Sequence, residues 1–441
     1  SAHAKFAFSK WADATCQVFI QNLTLSLNIS PFKIAFGKDG RYIYTPNKKY
    51  IISSLTIQLK VHYTMVRKRF IPEEEIMAGS SFGNIFRITT WGESHGKGIG
   101  VVVDGCPAGL QLCEEDIQKY LDRRKPGQSK FTTQRNESDT VEILSGVFEG
   151  KTTGTPISMM VWNKDQHSKD YSEIASYYRP GHADLGFDTK YGFRDYRGGG
   201  RSSGRETIGR VAGGAVAAKI LEQMGITCFA YSKSIGPVSV DATRFNPSVV
   251  NDNALYMPDT KAAEEAAAYL EKCLNETNSS GGIIECIVNG LPIGLGDPVF
   301  EKLDANLAKA ILSIGAVKGF EIGDGFSVAT STGLTNNDAF VMDGNKITKA
   351  TNHSGGTLGG MSDGSPLIFR AAVKPTPSIA ATQHTVNKSG EDIEISIKGR
   401  HDPIIVPRAV VVVETMAAIT ILDALLSNMT ARLDRIIEFY K

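Results

Sequence analysis

The stretch GGGRSSGRETIGRVAGGAVAAKILEQM, residues 198–224, determines the predicted fold more than any other part of the chain. It opens with a glycine run and continues as a helical pattern over residues 206–224, where glycine and alanine dominate. Small side chains on a helix let neighbouring elements approach closely. The pattern therefore predicts a central helix rather than a surface helix.

Further elements are predicted on both sides of this helix. Strand-like runs occur at residues 85–90, 100–103, 157–162, 282–288 and 365–371. Helical patterns occur at residues 113–123, 261–274, 304–313 and 409–427. Strands and helices do not alternate strictly, which disfavours a doubly wound parallel sheet and favours an α+β fold with a helical core. The glycine-rich, charged stretches between these elements, including residues 179–205, are predicted to be ligand-binding loops.

Composition excludes several classes of protein. With 41% hydrophobic and 22% charged residues, the 441-residue chain is neither disordered nor fibrous. The most apolar segment, residues 409–426, is interrupted by Glu414 and Asp423, so we predict no transmembrane helix and no membrane partner. Six cysteines form no CxxC pair, which argues against a zinc site and a disulfide framework. We expect no metal, and reduced cysteines in the cytoplasm.

Charge and glycine content divide the chain near residue 76. Residues 1–76 hold 11 basic and 5 acidic residues, whereas residues 77–441 hold 37 and 42. Only 2 of the 44 glycines precede residue 77. The mildly acidic body argues against a nucleic-acid partner, so any bound anion must be met by local arginines.

Three hypotheses compete for residues 1–76. A basic segment that is poor in acids is typical of an organellar transit peptide, in which case the destination would be a plastid. The alternation of residues 50–63 would suit a small extra domain. We favour a third hypothesis, a translated leader, because the codons of Glu73, Glu74 and Glu75 can spell a ribosome-binding site before Met77. The predicted functional domain is therefore residues 77–441.

Common nucleotide-binding motifs are absent from the sequence. GxGxxG does not occur, which removes the Rossmann fingerprint. The stretch from Gly146 to Thr152 has three residues between its glycines where a P-loop needs four. Nucleotide-kinase and simple dehydrogenase functions are therefore disfavoured.

Four other stretches carry residues that suit chemistry on an anionic substrate. A glycine-flanked histidine, His95, has an accessible ring, although a surface histidine in a turn would look the same. Residues 178–207 combine five arginines with Gly-Gly-Gly and Ser-Ser before a helix, which suits phosphate and carboxylate better than a solvated loop does. Residues 122–135 form a second basic stretch after a helix. Asp402, between His401 and Pro403, is either a proton relay or a helix cap.

These stretches resemble the chorismate synthase family. Three signatures match it: GESHGKGIGVVVDGCP at 92–107, GRSSGRETIGRVAGGAV at 200–216 and RHDPIIVPRAVVVVETM at 400–416. DRRKPGQSKFTTQR at 122–135, AVKGFEIGDGF at 316–326, NHSGGTLGGMSDG at 352–364 and KPTPS at 374–378 are also similar. The resemblance runs from about residue 81 to residue 426 and leaves residues 1–76 outside.

The resemblance implies a lyase that requires reduced FMN. It would convert 5-enolpyruvylshikimate-3-phosphate to chorismate and phosphate by a 1,4-anti elimination, the last step of the shikimate pathway, without net redox change. The implied fold is a β-α-β sandwich with a helical core between two antiparallel sheets, and the implied assembly is a homotetramer. NADPH is the implied reductant, and the body shows no large insertion, so we expect an external flavin reductase.

The resemblance also implies roles for individual residues. His95 matches the histidine that assists the departing phosphate, His182 the one that protonates or stabilises reduced flavin, and Asp402 the acid near flavin N5. The matching flavin-binding positions are Arg201, Ser202, Ser203, Gly315, Ala316, Gly359, Lys374, Pro375, Thr376, Pro377, Ser378 and Arg400. The positions implied for substrate or NADP are Ser94, Arg124, Lys130, Arg135 and Arg179.

Two positions depart from the family pattern. Lys130 stands where arginine is common, which keeps the charge but loses the bidentate fork. Gly315 stands where asparagine is common, so it has no side chain to contact FMN. Two other functions stay open on the residues alone: a flavin-independent transferase or lyase acting on another phosphorylated carboxylate, and a non-catalytic anion- or RNA-binding protein, which the acidic body disfavours.

Overall fold

The computed structural model describes residues 79–129, 131, 138–164, 173–397 and 402–441. The chain divides into Ser1–Ile76 and Met77–Lys441, and every described residue belongs to the second unit. The hypotheses for residues 1–76 therefore stay predictions. Four residues of the predicted site or its surroundings lie outside the described residues: Lys130, Arg135, Arg400 and His401.

The helices of the described residues include the long ones that the sequence predicts. In chain order they are α1 (Glu114–Arg124), α2 (Asp184–Tyr191), α3 (Thr207–Gln223), α4 (Thr260–Asn275), α5 (Leu303–Leu312), α6 (Gly333–Asn336), α7 (Val406–Asn428) and α8 (Leu433–Tyr440).

Two antiparallel sheets of five strands accompany these helices. The first sheet consists of β1 (Ser81–Phe82), β2 (Arg87–Gly92), β3 (Gly98–Asp104), β4 (Val141–Ile143) and β7 (Ile157–Trp162). The second consists of β8 (Thr227–Ile235), β9 (Val238–Ser239), β10 (Gly282–Asn289), β11 (Val317–Ile322) and β16 (Leu367–Val373). The strand order is β1-β2-β3-β7-β4 in the first sheet and β11-β16-β10-β8-β9 in the second.

The remaining strands pair as short antiparallel hairpins. They are β5 (Val147–Phe148) with β6 (Lys151–Thr152), β12 (Phe340–Asp343) with β13 (Lys346–Lys349), β14 (Thr357–Leu358) with β15 (Met361–Ser362), and β17 (Gln383–Val386) with β18 (Asp392–Ile395). The predicted α+β class is therefore confirmed.

Helix α3 is central, as its small residues predict. It packs on β2 and β3 of the first sheet and along α7, while α7 packs on β8 and β10 of the second sheet. A Cβ at Gly213 would lie 2.8 Å from Ile88 on β2, and one at Gly214 would lie 2.4 Å from Thr415 on α7. Glycine therefore sets the distance from α3 to both neighbours.

Helix α7 is long and apolar enough to cross a membrane, with a mean hydropathy of 2.1. In the described part of the chain it is instead a core helix, because most of its apolar stretch is buried. Its two acids have partners: Glu414 accepts two hydrogen bonds from Arg123, and Asp423 accepts from three successive backbone N–H groups that begin at Asn84. Both acids therefore anchor the helix to the rest of the fold.

One predicted loop needs correction. Residues 179–205 were expected to lack regular structure, but they contain α2, which begins two residues after His182. The helix ends at Gly192, whose left-handed backbone (φ 82°) suits glycine. The segment is thus a helix between two short loops.

Candidate active site

His95 lies in a tight turn between β2 and β3. The Gly96 N–H donates to the Glu93 carbonyl at 3.0 Å, so Ser94 and His95 form the corner of the turn. The His95 ring is only 6% exposed. Ser94 Oγ lies 3.1 Å from His95 Nδ1 and donates to the Gly198 carbonyl at 3.4 Å. Ser94 Oγ thus holds Nδ1 in place, and which of the two atoms donates depends on the tautomer of the ring.

Gly198 covers the His95 ring. A Cβ at this position would lie 2.3 Å from His95 Cε1 and 2.5 Å from Nδ1, which no real contact tolerates. Its φ of 66° is also one that side-chain-bearing residues rarely adopt. Glycine at position 198 is thus required by the position of the His95 ring as well as by the turn.

His182 lies in the predicted ligand-binding stretch of residues 179–205, and both of its ring nitrogens have hydrogen-bond partners. Nδ1 lies 2.9 Å from the Pro180 carbonyl, and Nε2 lies 3.0 Å from Ser378 Oγ. A carbonyl only accepts, so Nδ1 carries the proton and Nε2 accepts from Ser378. Burial lowers the pKa of His182 to about 4, and the charges of Arg179 and Lys374 act in the same direction. The ring is therefore neutral at pH 7.

An internal ion pair fixes the loop that holds His182. Arg179 donates from Nε and Nη2 to the two carboxylate oxygens of Asp184, both at 2.8 Å, and its backbone N–H donates to the same carboxylate at 3.0 Å. Burial alone would raise the pKa of Asp184, but these Arg179 hydrogen bonds outweigh it and lower the pKa. Arg179 is predicted to bind substrate, but two of its three guanidinium nitrogens, Nε and Nη2, already hold Asp184.

The loop at residues 374–378 joins His182. Lys374 Nζ donates to the Gly181 carbonyl at 2.7 Å, and its backbone N–H donates to the carbonyl of Ala316, a residue with a strained φ of 71°. The structure therefore brings together Ala316, Lys374, Ser378 and His182, as predicted. Thr376 Oγ1 in the same loop is buried and has no hydrogen-bond partner in the described structure, which marks it as a group able to serve a ligand.

A buried arginine cluster forms the centre of the site; it comprises Arg124, Arg205, Arg408, Asp139 and Asp402. Asp139 accepts from Arg124 at 2.6 Å and from Arg205 at 3.1 Å, and Asp402 accepts from Arg408 at 2.8 Å. Arg408 Nε also donates to the Arg124 carbonyl at 3.0 Å. Three guanidinium groups face two carboxylates, so the cluster carries one excess positive charge.

Burial shapes the electrostatics of this cluster. Burial would raise the pKa of Asp139, but its two arginine partners outweigh burial and lower the pKa, so the carboxylate stays ionised. Burial lowers the pKa of Arg408, while Asp402 acts in the opposite direction. An unbalanced positive charge in such surroundings favours an anionic ligand.

Further hydrogen bonds connect the loop at residues 374–378 with Asp402, and the glycine run before α3 with β2. Ser279 Oγ donates to the Thr376 carbonyl at 2.7 Å, and the Ser280 N–H donates to the Pro403 carbonyl at 2.8 Å, next to Asp402. Arg201 donates to the carbonyls of Gly92 and Thr90, both at 3.1 Å, and so fastens the glycine run to β2.

Some predicted residues make only local contacts or present no side chain in this structure. Ser202 is exposed, and its hydroxyl donates to the Gly199 carbonyl at 2.8 Å, while Ser203 Oγ accepts from the Arg205 N–H. Gly315 and Gly359 have open space where a Cβ would be. Gly359 lies in the turn between β14 and β15, and the contacts of the described residues do not connect it with either histidine.

Sequence reasoning missed two residues that organise the site, Asp139 and Asn163. Asp139 is the buried counter-ion of Arg124 and Arg205, and Asn163 contacts both Arg205 and the His95 turn. Two acids, Glu137 and Asp139, directly follow the basic stretch 122–135, and they were the available signal. No motif marked Asn163. Within the described ranges, no group of three or more His, Cys, Asp or Glu could hold a metal ion.

Comparisons with known proteins show the family of the chain. The sequence model of the family described as chorismate synthase matches residues 86–426. The chain is 76% identical over 365 residues to a chorismate synthase of Agathobacter rectalis, covering 83% of this chain and all of the relative. It is 53% identical over 355 residues to one of Methanosarcina mazei, covering 80% and 97%.

The chain belongs to the chorismate synthase family. A crystal structure of a chorismate synthase matches with a TM-score of 0.64 and 33% identity, over 81% of this chain and 97% of that one. The chain is therefore an enzyme, a lyase of the last step of the shikimate pathway. Membership also implies a flavin cofactor.

Proposed function

We propose that this enzyme forms chorismate and phosphate from 5-enolpyruvylshikimate-3-phosphate by a 1,4-anti elimination that requires reduced FMN. The observation that carries the proposal is the excess positive charge of the arginine cluster, which is linked to the His95 turn through the contact of Arg205 with Asn163. A substrate with two carboxylates and a phosphate supplies the missing negative charge. The helices α3 and α7 between the two sheets fit the proposed β-α-β sandwich.

The loop at residues 374–378 and its neighbours fit a flavin phosphate and ring. Thr376 Oγ1 is buried without a partner, and Gly315 leaves room where a side chain would stand. Lys374 adds a positive charge in the same loop as Thr376, and Arg201 lies in the glycine-rich turn before α3. When bound, reduced FMN would supply electron density during the elimination without net redox change.

His95 is proposed to assist the departing phosphate. Its Nδ1 lies 3.1 Å from Ser94 Oγ, so Nε2 is the nitrogen proposed to give a proton or hydrogen bond to phosphate oxygen. The 6% exposure of the residue excludes most water from the ring, which strengthens a hydrogen bond to phosphate oxygen.

His182 is proposed to hold a proton at Nε2 beside the reduced flavin. In the absence of ligand the ring is neutral and Nε2 accepts from Ser378. An anion bound next to it would raise its pKa and allow it to carry a second proton. Asp402, paired with Arg408, stays available as a charged acceptor near the same loops.

Reduced FMN is proposed to come from an external flavin reductase, with NADPH as the ultimate reductant. Arg124, one of the positions implied for NADP, is 1% exposed and donates to Asp139, so it offers little to a dinucleotide. The cytoplasm is the proposed compartment; in the described residues, five cysteines are free thiols, as in a reducing environment.

A homotetramer is proposed on the basis of exposed apolar side chains around the β12–β13 hairpin. Phe326, Leu334, Phe340 and Ile347 are 64–98% exposed. Large apolar side chains with this exposure are typical of contacts between subunits. The molecular mass in solution, measured by light scattering, tests the assembly.

Product analysis tests the function. Under anaerobic conditions, purified protein with chemically reduced FMN and 5-enolpyruvylshikimate-3-phosphate should release chorismate and phosphate in equal amounts. Activity without flavin would instead support the alternative, a flavin-independent lyase or transferase acting on another phosphorylated carboxylate. In the same assay, His95→Ala and His182→Ala should each lower turnover by about a hundred- to ten-thousand-fold. His353→Ala is the control, because this histidine pairs with Asp324 outside both loops.

A further inference from the structure

We infer that Asn163 is a positioning residue for His95, which it holds by linking the His95 turn to Arg205. Asn163 directly follows β7, and its backbone N–H donates to the Lys97 carbonyl at 3.1 Å. Its side-chain Nδ2 donates to the carbonyls of Glu93 and Gly96, at 3.0 and 2.9 Å. These two carbonyls flank Ser94 and His95.

The other end of the carboxamide faces Arg205. Asn163 Oδ1 accepts from Arg205 Nε at 3.1 Å and from Nη2 at 2.8 Å. Arginine only donates and the two carbonyls only accept, so the orientation of the amide is fixed by its partners. Both donors and both acceptor positions of the side chain are used.

This arrangement connects the turn with the buried arginine cluster. Arg205 Nη1 donates to Asp139, so the same guanidinium contacts the counter-ion of Arg124 and the residue that holds the His95 turn. Asn163 acts on His95 through the backbone carbonyls on either side of Ser94 and His95. The inference rests on the proposed function for its catalytic consequence, but not for its structural one.

The substitution Asn163→Asp separates the two ends of the side chain. It keeps an oxygen for Arg205 but puts a second oxygen against the Glu93 and Gly96 carbonyls, where a donor is needed. Asn163→Ala removes both contacts, and Asn163→Ser is a further variant if either fails to fold. A displacement of the ring by about 1 Å can lower turnover about a hundred-fold.

Asn253 provides a matched control. Its Nδ2 donates to two backbone carbonyls, those of Val249 and Met257, and its Oδ1 accepts from two backbone N–H groups. Asn253→Asp therefore makes the same chemical change in another loop. Thermal stability of both aspartate variants shows whether the two substitutions disturb the fold equally.

Two measurements decide the inference. In the anaerobic assay, Asn163→Asp should lower kcat by about ten- to a hundred-fold with KM changed less than threefold, while Asn253→Asp stays within twofold of the parent. In ligand-free protein, mass spectrometry of hydrogen exchange at the imidazole Cε1–H should show a changed rate for His95 and an unchanged rate for His182.

The outcomes of the proposed function and of this inference are distinguishable. A parent protein that forms no chorismate would refute the proposed function, and the ring exchange of His95 would still decide the position of Asn163. Unchanged His95 exchange in the Asn163 variants would overturn the inference, as would a kcat loss no greater than that of Asn253→Asp.

Discussion

The lowered pKa of His182 makes the stability of the protein depend on pH in a predictable direction. The ring titrates at about 4 in the folded protein, against an ordinary value of 6.5. Between these values the unfolded chain binds a proton that the folded protein does not, so this contribution to stability is complete above pH 6.5 and is lost as the pH falls towards 4. The linkage relation gives a loss of about 2 kcal/mol at pH 5, rising to ~3 kcal/mol below pH 4.

A non-titrating variant isolates this contribution. In His182→Asn the side-chain amide can still donate to the Pro180 carbonyl, as Nδ1 does. The free energy of unfolding in urea should therefore fall more steeply with decreasing pH in the parent than in the variant, with the difference near 2 kcal/mol at pH 5 relative to pH 7.5. Protein concentration is held constant so that assembly contributes equally.

Ring exchange measures the same pKa directly. The pH dependence of Cε1–H exchange at His182 should have its midpoint near 4, with His384, whose side chain is 86% exposed, as the reference in the same digest. FMN and substrate together should move the His182 midpoint upward, because both bring negative charge to the loops that Arg179 and Lys374 make positive. A ligand-free midpoint of 6 or above, with parallel stability profiles for parent and variant, would refute the reasoning.

Three further predictions concern the frame of the site and the chain start. Gly198→Ala should lower turnover at least about ten-fold while ligand affinity, measured by titration calorimetry, changes less, because the new Cβ would overlap the His95 ring; retained turnover would show that the ring can move without loss. Asp423→Asn should lower the free energy of unfolding by about 2 kcal/mol, since the carboxylate accepts from three backbone N–H groups; a loss below ~0.5 kcal/mol in urea unfolding would contradict this. Deletion of residues 1–76 should leave chorismate formation intact, because the family match begins at residue 86; an insoluble or inactive truncation would oppose it.

The sequence predicted those elements whose burial leaves a regular pattern. The strand expected at 157–162 matches β7, and the helix expected at 206–224 matches α3 within one residue at each end. Strand β8 was missed because both of its faces are covered. Tyr231 on β8 is 1% exposed and contacts the Phe245 ring, so the strand shows no alternation of polar and apolar residues.

Helix α2 was missed for the opposite reason. Its apolar residues Leu185 and Tyr191 are both 57% exposed, so no apolar face follows the helical period. Ion pairs hold the helix instead: Asp184 binds Arg179 at its start, and Asp188 accepts from Arg194 at 2.7 Å. A hydrophobic pattern cannot reveal an element that is anchored by charge.

Local motifs identified both histidines but not the residues that hold them. His95 and His182 stand among glycines, so the stretches around them are visible in sequence alone. Asn163 lies 42 positions from Arg205 and 67 from Gly96, and only the pairing of β7 with β3 brings these residues together. Residues whose role depends on strand pairing carry no local signal.

The hydrogen-bond partners of the five arginines change the interpretation of the arginine-rich stretch. The sequence suggested that five arginines within residues 179–205 form a cradle for anions, yet each has a partner in the folded chain. Arg179 contacts Asp184, Arg194 contacts Asp188, and Arg197 contacts Asp195. Arg201 contacts backbone carbonyls of β2, and Arg205 contacts Asp139 and Asn163. Anion binding therefore depends on the charge left after this pairing rather than on the number of arginines. This charge lies at Arg124 and Arg205, because the two share the single carboxylate of Asp139. A variant that removes Asp139 would accordingly leave Arg124 and Arg205 without their shared counter-ion, and it would disorder the site even though it adds net positive charge.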